Sequence, residues 1–402
     1  MTHLIENALP TVHVIKDDQQ AIEVATRLAE QFALSSAERD IERILPYVEL
    51  DLLSHSGLLA ITVPKRFGGA EVSAQTLATV IALLSAADGS IGQIPQNHFY
   101  ALEVLRVNGT DAQQKKLYAE VLAGQRFGNA LAEFHTKAAN LRTSRLVFDG
   151  ENYSITGQKF YCTGALYAHR IPTLVSDEHG QDFLVFVDQR AEGVKIVDDW
   201  SGFGQRTTGS GSVYFDQVNV DAIDIIPFNT AFERPTTVGP FAQLMHAAID
   251  TGIAQAALHE SIEFIRTRAR AWIDAHVEQA QQDPLTIYEI GNLSVEVRAT
   301  QSLLNRAARL VQIAQQNPTI QTIADASIAV AEARAQSTEV SLLAGSKLIE
   351  LGGSRASQRS DNLDRFWRNA RVHTLHDPVR WKYHAIGNYY LNNILPPRRG
   401  TL

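Results

Sequence analysis

Apolar residues recur every three or four positions in AIEVATRLAEQFAL, TLATVIALLSAADG and QQKKLYAEVLAG, all between about Asp17 and Gly124. That spacing lines one face of a helix, so the block is helical, and Gly124 reads as the stop of its last helix. From about Phe127 to Pro235 the texture changes to short runs rich in β-branched and aromatic residues, such as SRLVFDG, NYSITGQKFY, DFLVFVD, VKIVDD and GSVYFDQVNV, broken by Gly, Asp and Asn. Those are strands, and the block is a β domain. From about Thr237 long helical patterns return in GPFAQLMHAAIDTGIAQAALHESIEFIRTRAR and in two later segments of similar length. Each is long enough to cross a bundle, which predicts a C-terminal four-helix bundle. A β domain between two helical blocks makes a junction of three surfaces, a favoured place for a ligand.

Composition narrows the class. The chain has 402 residues, 45% hydrophobic and 20% charged, enough to bury a large core. A net charge of −8 with scattered Lys and Arg argues against nucleic acid as a partner. The opening MTHLIENALP lacks the basic start and apolar stretch of a secretory signal, and no apolar run is long enough to span a bilayer. A cytoplasmic protein with no membrane contact is expected. Cys162 is the single cysteine and has no partner for an internal disulfide.

Several motifs carry a resemblance. ITVPKRFGG (Ile61 to Gly69), GTDAQQKKLYAEVLAGQ (Gly109 to Gln125), the block from Ala130 to Ala165 containing DGENYSITGQKFYCTGA, and LIELGGSRASQRSDNLDRFWRNARVHTLHDP follow one another in the order seen in acyl-CoA dehydrogenases. The chain is similar to that superfamily over nearly its whole length. The resemblance implies a mainly α fold with an inserted β domain: an N-terminal helical domain (1–126), a central β-barrel domain (127–236) and a C-terminal four-helix bundle (237–402). IGQIPQNHFY, DDWSGFGQRTTGSG and WRNARVHTLHDPVRWKYHA further resemble the sulfur-acquisition oxidoreductases, relatives of dibenzothiophene monooxygenase. That branch implies reduced FMN supplied by a flavin reductase, oxygen, and a small organosulfur substrate.

Where the dehydrogenases carry a catalytic Glu, this chain has His376-Asp377-Pro378-Val379. Asp377 before Pro378 reads as an N-cap followed by proline in the first helical turn, a poor position for a base. By resemblance, Asn129 and Thr163 hydrogen-bond the flavin ring. His376 acts on the flavin–oxygen adduct, with His373 and His98 in support; histidine is the natural proton carrier near neutral pH. Taken singly, Asn129 reads as a turn residue, Thr163 as a strand residue, and the histidines as capping or interface groups. Arg268, and less clearly Arg270, fall where the superfamily binds flavin phosphate, although basic residues also suit a helix C-terminus. Trp200, Ser210 and Gly211 resemble the wall of the flavin pocket. Gly352 and Gly353, by themselves a helix cap, match a turn that contacts a neighbouring subunit's flavin and so imply a homotetramer. Cys162 reads as a buried, inert thiol on the face opposite Thr163. No metal site is expected, because no carboxylate or cysteine set stands at ligand spacing, although three histidines could in principle meet in space.

Two other functions fit parts of this pattern. One is an FAD-dependent acyl-CoA dehydrogenase, and the other a flavin-binding protein without catalysis.

Overall fold

A computed structural model describes residues 12–133 and 142–402. MTHLIENALP, and with it the reading of a missing signal, lies outside the described residues.

The first block folds as α1 (Asp18–Ala33), α2 (Ser36–Glu42), α3 (Tyr47–His55), α4 (Ala74–Ala87), α5 (Gly89–Asn108) and α6 (Asp111–Leu122). Its helix starts are written in the sequence. Asp17 accepts from the Gln20 N–H, Ser73 from the Thr76 N–H, and Thr110 with Gln113 forms a reciprocal capping box. Asp88 stops α4 and opens α5, its Oδ1 accepting from the N–H groups of Ser90 and Ile91 while Arg39 holds its other oxygen at 3.0 Å. This corner fixes the direction in which α5 leaves, and therefore where Gln93 points. Gly124, with φ +88°, ends the block as expected.

The middle block forms β1 (Arg145–Phe148), β2 (Tyr153–Lys159), β3 (Arg170–Ser176), β4 (Asp182–Asp188), β5 (Val194–Val197), β6 (Ser212–Val220) and β7 (Ile225–Pro227). They make one curled sheet in the order β5-β6-β2-β1-β3-β4-β7, antiparallel except where β1 meets β3. A register shift between Ile155 and Gly157 adds local twist. Pro172 lies inside β3, a residue that argues against a central strand because it donates nothing to a ladder. It is tolerated because the irregular segment Phe127–Ala130 lies alongside: Gly128 N–H donates to Arg170 O, Ala130 N–H to Pro172 O, and Leu174 N–H to Ala130 O.

The last block comprises α7 (Thr230–Glu233), α8 (Val238–Thr267), α9 (Pro284–Gln316), α10 (Ile320–Gly352), α11 (Asp364–His373) and α12 (Arg380–Asn392). Every residue of α8 from Val238 to Ala254 is buried, because α4 and α5 cover it on one side and α9 and α10 on the other. One apolar core therefore runs through both helical blocks, including Leu77, Ile81, Val104, Ile249, Val311 and Val330. The sheet keeps its own core around Ile155, Cys162, Val185, Val213 and Val218. Among the described residues no helix is long and apolar enough to cross a membrane.

One local expectation is corrected. Asp377 caps no helix: α12 begins at Arg380, and the Asp377 carboxylate turns to the buried Lys382 ammonium at 3.4 Å. A buried ammonium without an anion costs far more than a helix start without a cap, so the ion pair takes the side chain.

Candidate functional site

The site begins where sheet and helices touch. A Cβ on Gly164 would stand 3.2 Å from Ile94 Cγ2 and 3.8 Å from Gly128 Cα, and one on Gly128 would overlap the Ala165 backbone. The start of α5, the segment 127–130 and the turn 161–165 are thus in direct contact. Asn129 is held between the two sheet-bonded residues Gly128 and Ala130; its Nδ2 donates to Tyr161 O at 3.3 Å. Its Oδ1 is buried with no protein partner, and the same is true of Gln93 Oε1 on α5. A buried acceptor left unpaired is costly, so both oxygens suit a ligand that brings its own N–H or O–H donors, as a flavin ring does.

Thr163 lies one residue after the buried Cys162. Its Oγ1 shares a hydrogen bond with Ser210 Oγ at 2.8 Å, Ser210 Oγ another with Thr208 Oγ1 at 2.7 Å, and Thr208 Oγ1 donates to Gln205 O. Gln205, with φ +46°, ties the junction together. Its N–H donates to Asn369 Oδ1 on α11 at 2.6 Å, its Nε2 to Gly89 O on α5, and its carbonyl also accepts from the Trp200 indole. Gly211 leaves room for Val197 O, which a Cβ would approach to 2.2 Å.

At the far end of α11, three imidazoles cluster, tilted against one another, with centroids 4.8 to 5.0 Å apart: His246 from α8, His373 closing α11, and His376 in the turn that follows. His376 Nδ1–H donates to the carbonyl of His373 at 2.6 Å, which leaves Nε2 to accept from the Gln93 amide at 3.1 Å. His373 Nδ1–H donates to Asp250 at 2.6 Å, and its Nε2 accepts from His246 Nδ1–H at 2.9 Å. Asp250 is also bound by the fully buried Arg334. Burial pushes His246 and His373 well below the ordinary histidine range, so both are neutral, and loss of solvation also lowers His376, which keeps exposed surface. Burial pushes the Asp250 carboxyl up to about 6, against the pull of Arg334.

Sequence reasoning grouped His376, His373 and His98; the structure joins the first two and replaces the third with His246. His98 is spent elsewhere. Its Nε2–H donates to Leu59 O at 2.8 Å and its Nδ1 accepts from the Phe127 N–H at 3.1 Å, a latch between α5 and the entry to the sheet. His246, Asp250, Gln93 and Gln205 were missed. A signal existed for two of them, since His246 and Asp250 stand four apart in the mostly apolar FAQLMHAAIDTGIA and so share a helix face. Three histidines do meet in space: ring nitrogens of His246, His373 and His376 all lie within 4.8 Å of one another. Each already has a hydrogen-bond partner, and Arg334 and Lys382 add positive charge next to them.

The remaining expected residues lie at the edges. Trp200 borders an open groove of about 830 Å³ that is also lined by Arg43, Phe203, Arg206, Arg359 and Arg368. Arg268 follows the end of α8, pairs with Asp361 at 2.5 Å and lies over the Phe264 ring; Arg270 is exposed. Gly352 ends α10, where a Cβ would meet Ala356 and Phe264, and Gly353 has φ +63°. Burial raises the Cys162 thiol, as an inert core cysteine requires.

Family comparison agrees with this architecture. The acyl-CoA dehydrogenase N-terminal domain matches residues 16–125 and its C-terminal domain residues 244–381. Dibenzothiophene monooxygenase of Rhodococcus qingshengii is 30% identical over 395 residues, 94% of this chain and 95% of that protein. The chain belongs to the acyl-CoA dehydrogenase superfamily. Within the superfamily it is also 31% identical, over 94% of its length and 96% of the relative's, to the probable FMNH2-dependent monooxygenase SfnC of Pseudomonas putida. The crystal structure of FMN-bound TdsC from Paenibacillus sp. A11-2 superposes with a TM-score of 0.91 at 28% identity, covering 95% of this chain and all of that one.

Proposed function

We propose that this superfamily member is the oxygenase component of a two-component system, taking reduced FMN from a separate flavin reductase and using oxygen to oxidise a small organosulfur compound. One observation carries the reading. The residue in place of the dehydrogenase base, Asp377, is bound to buried Lys382, while the neighbouring His376 presents a neutral imidazole to Gln93 at the helix–sheet junction. A carboxylate so engaged is a poor base for an acyl thioester, whereas a neutral histidine can accept, hold and return a proton. The names and cofactors of the relatives support the same choice.

FMN, when bound, supplies the two electrons and the atom at which oxygen is activated. The protein's part is to place and shield. The unpaired oxygens of Asn129 and Gln93 would accept from the ring, and the Thr163 hydroxyl, steadied by Ser210, would donate to it. His376, with Nδ1–H fixed on the His373 carbonyl, would hold its proton-accepting Nε2 toward the junction. Trp200, Ser210 and Gly211 would wall the pocket, Arg268 with or without Arg270 would meet the phosphate, and Gly352 and Gly353 would face a neighbouring subunit of a homotetramer. The segments 1–126, 127–236 and 237–402 would act as its three units.

Purified protein supplied with a flavin reductase, NADH and FMN should convert a sulfone, sulfinate or sulfide into an oxygenated product with matching oxygen uptake. No product across such a panel, together with flavin bleaching by an acyl-CoA, would overturn the proposal in favour of a dehydrogenase.

A further inference from the structure

Beside His376 a separate row of hydrogen bonds leads inward. His246 Nδ1–H points to His373 Nε2 at 2.9 Å, and His373 Nδ1–H to Asp250 Oδ1 at 2.6 Å. His373 and Asp250 have no exposed side-chain surface and His246 is 7% exposed, so the row meets solvent only at its His246 end. It runs from α11 into α8. Nothing in positioning His376 requires it, because His376 is held by a backbone carbonyl and by Gln93.

We propose that His246, His373 and Asp250 form an internal proton store, in which Asp250 is the terminal acceptor. This rests on the monooxygenase reading only for its use in turnover; the store itself belongs to the protein alone. A proton bound at His246 Nε2 releases the Nδ1 proton to His373 Nε2, and His373 passes its own Nδ1 proton to Asp250 Oδ1. One proton enters, the carboxylate becomes a carboxylic acid, both rings end neutral with their tautomers exchanged, and no electron moves.

The surroundings favour this end point. Arg334 from α10 binds the other Asp250 oxygen and Thr338; Lys382 from α12 and His376 lie nearby, with Asp377 as the local counter-charge to Lys382. These cations and the burial keep a proton off either imidazole, while burial raises the carboxyl to about 6. Asp250 and His373 are thus positioning and storage residues, one step removed from the reacting atoms.

The test uses flavin-free protein. Infrared difference spectra between pH 7.5 and 5 should show a neutral carboxylic acid appearing with a midpoint near pH 6, absent from Asp250→Asn, which still offers an oxygen to His373 Nδ1–H but cannot take its proton. Nitrogen-15 spectra of labelled histidine should show His246 and His373 exchanging Nδ1–H for Nε2–H at the same midpoint without becoming imidazolium. An imidazolium on either ring, or a carboxylate that stays ionised to pH 5, would overturn the proposal. Should Asp250→Asn not fold, since it leaves Arg334 buried without a counter-charge, the wild-type spectra decide alone. If the coupled titration is present but no organosulfur compound is oxidised, the functional reading fails and the store stands; the opposite pair of results removes the store and keeps the function.

Discussion

His98 and His376 both have a pKa lowered by loss of solvation, His98 fully buried and His376 with exposed surface, yet their partners differ more. His98 spends both nitrogens on main-chain groups, the Leu59 carbonyl and the Phe127 N–H, which neither titrate nor move. His376 spends one nitrogen on a carbonyl and offers the other to a side-chain amide, with the row of His373, His246 and Asp250 beside it. A shifted pKa therefore does not by itself separate a working histidine from a structural one. What separates them is whether any partner can exchange a proton.

The sharpest way to break this contrast is His376→Ala. Loss of a positioned acid or base costs about 100- to 10,000-fold in rate, so turnover should fall by that order, or oxygen uptake should uncouple towards hydrogen peroxide. Flavin affinity and melting temperature should change little. Single-turnover kinetics with product and peroxide assays check it, and wild-type conversion would move the role elsewhere.

His98→Ala should do the reverse. It leaves a buried carbonyl and a buried N–H unpaired, at about 1–3 kcal/mol for each lost partner. The protein should lose stability by a few kcal/mol in denaturant titration, while the folded fraction turns over at close to the wild-type rate. Equal losses in both measurements would erase the distinction between the two sites.

A pH series sharpens the comparison further. His98 is lowered to about 4 in the folded protein from 6.5 unfolded. Its contribution to stability is complete above pH 6.5 and is lost as pH falls towards 4, because the unfolded state takes up a proton that the folded state refuses. One such group gives a slope of about 1.4 kcal/mol per pH unit. Wild-type stability should fall across this window, and His98→Gln should be less stable at neutral pH but show a slope smaller by about one proton.

The smallest effect is expected at Arg268, whose exposed pair with Asp361 is solvent-screened. Arg268→Ala should weaken FMN binding by about fivefold at most. Unchanged affinity in a fluorescence titration would reduce it to a helix end.

Much of this was legible before folding. Three-to-four periodicity gives the long helices because each must bury one face, and alternation with turn residues gives the strands; Asp17, Ser73, Thr110 and Gly124 mark ends through local hydrogen bonds or a backbone only glycine readily adopts. Asn129, Thr163, His373 and His376 were singled out because their motifs are contiguous. Asp377 was misread because an Asp-Pro pair is a sound local cap signal, and no local rule reveals a lysine whose burial depends on helices from elsewhere in the chain.

The sequence alone thus determined which segments are helix or strand, the family, and the turn after α11 as the candidate for chemistry, since these depend on neighbours a few residues apart. Only the tertiary structure decided which histidines meet. His246 and His373 are 127 residues apart, and their hydrogen bond exists because α8 is buried between both helical blocks and brings His246 and Asp250 against the end of α11.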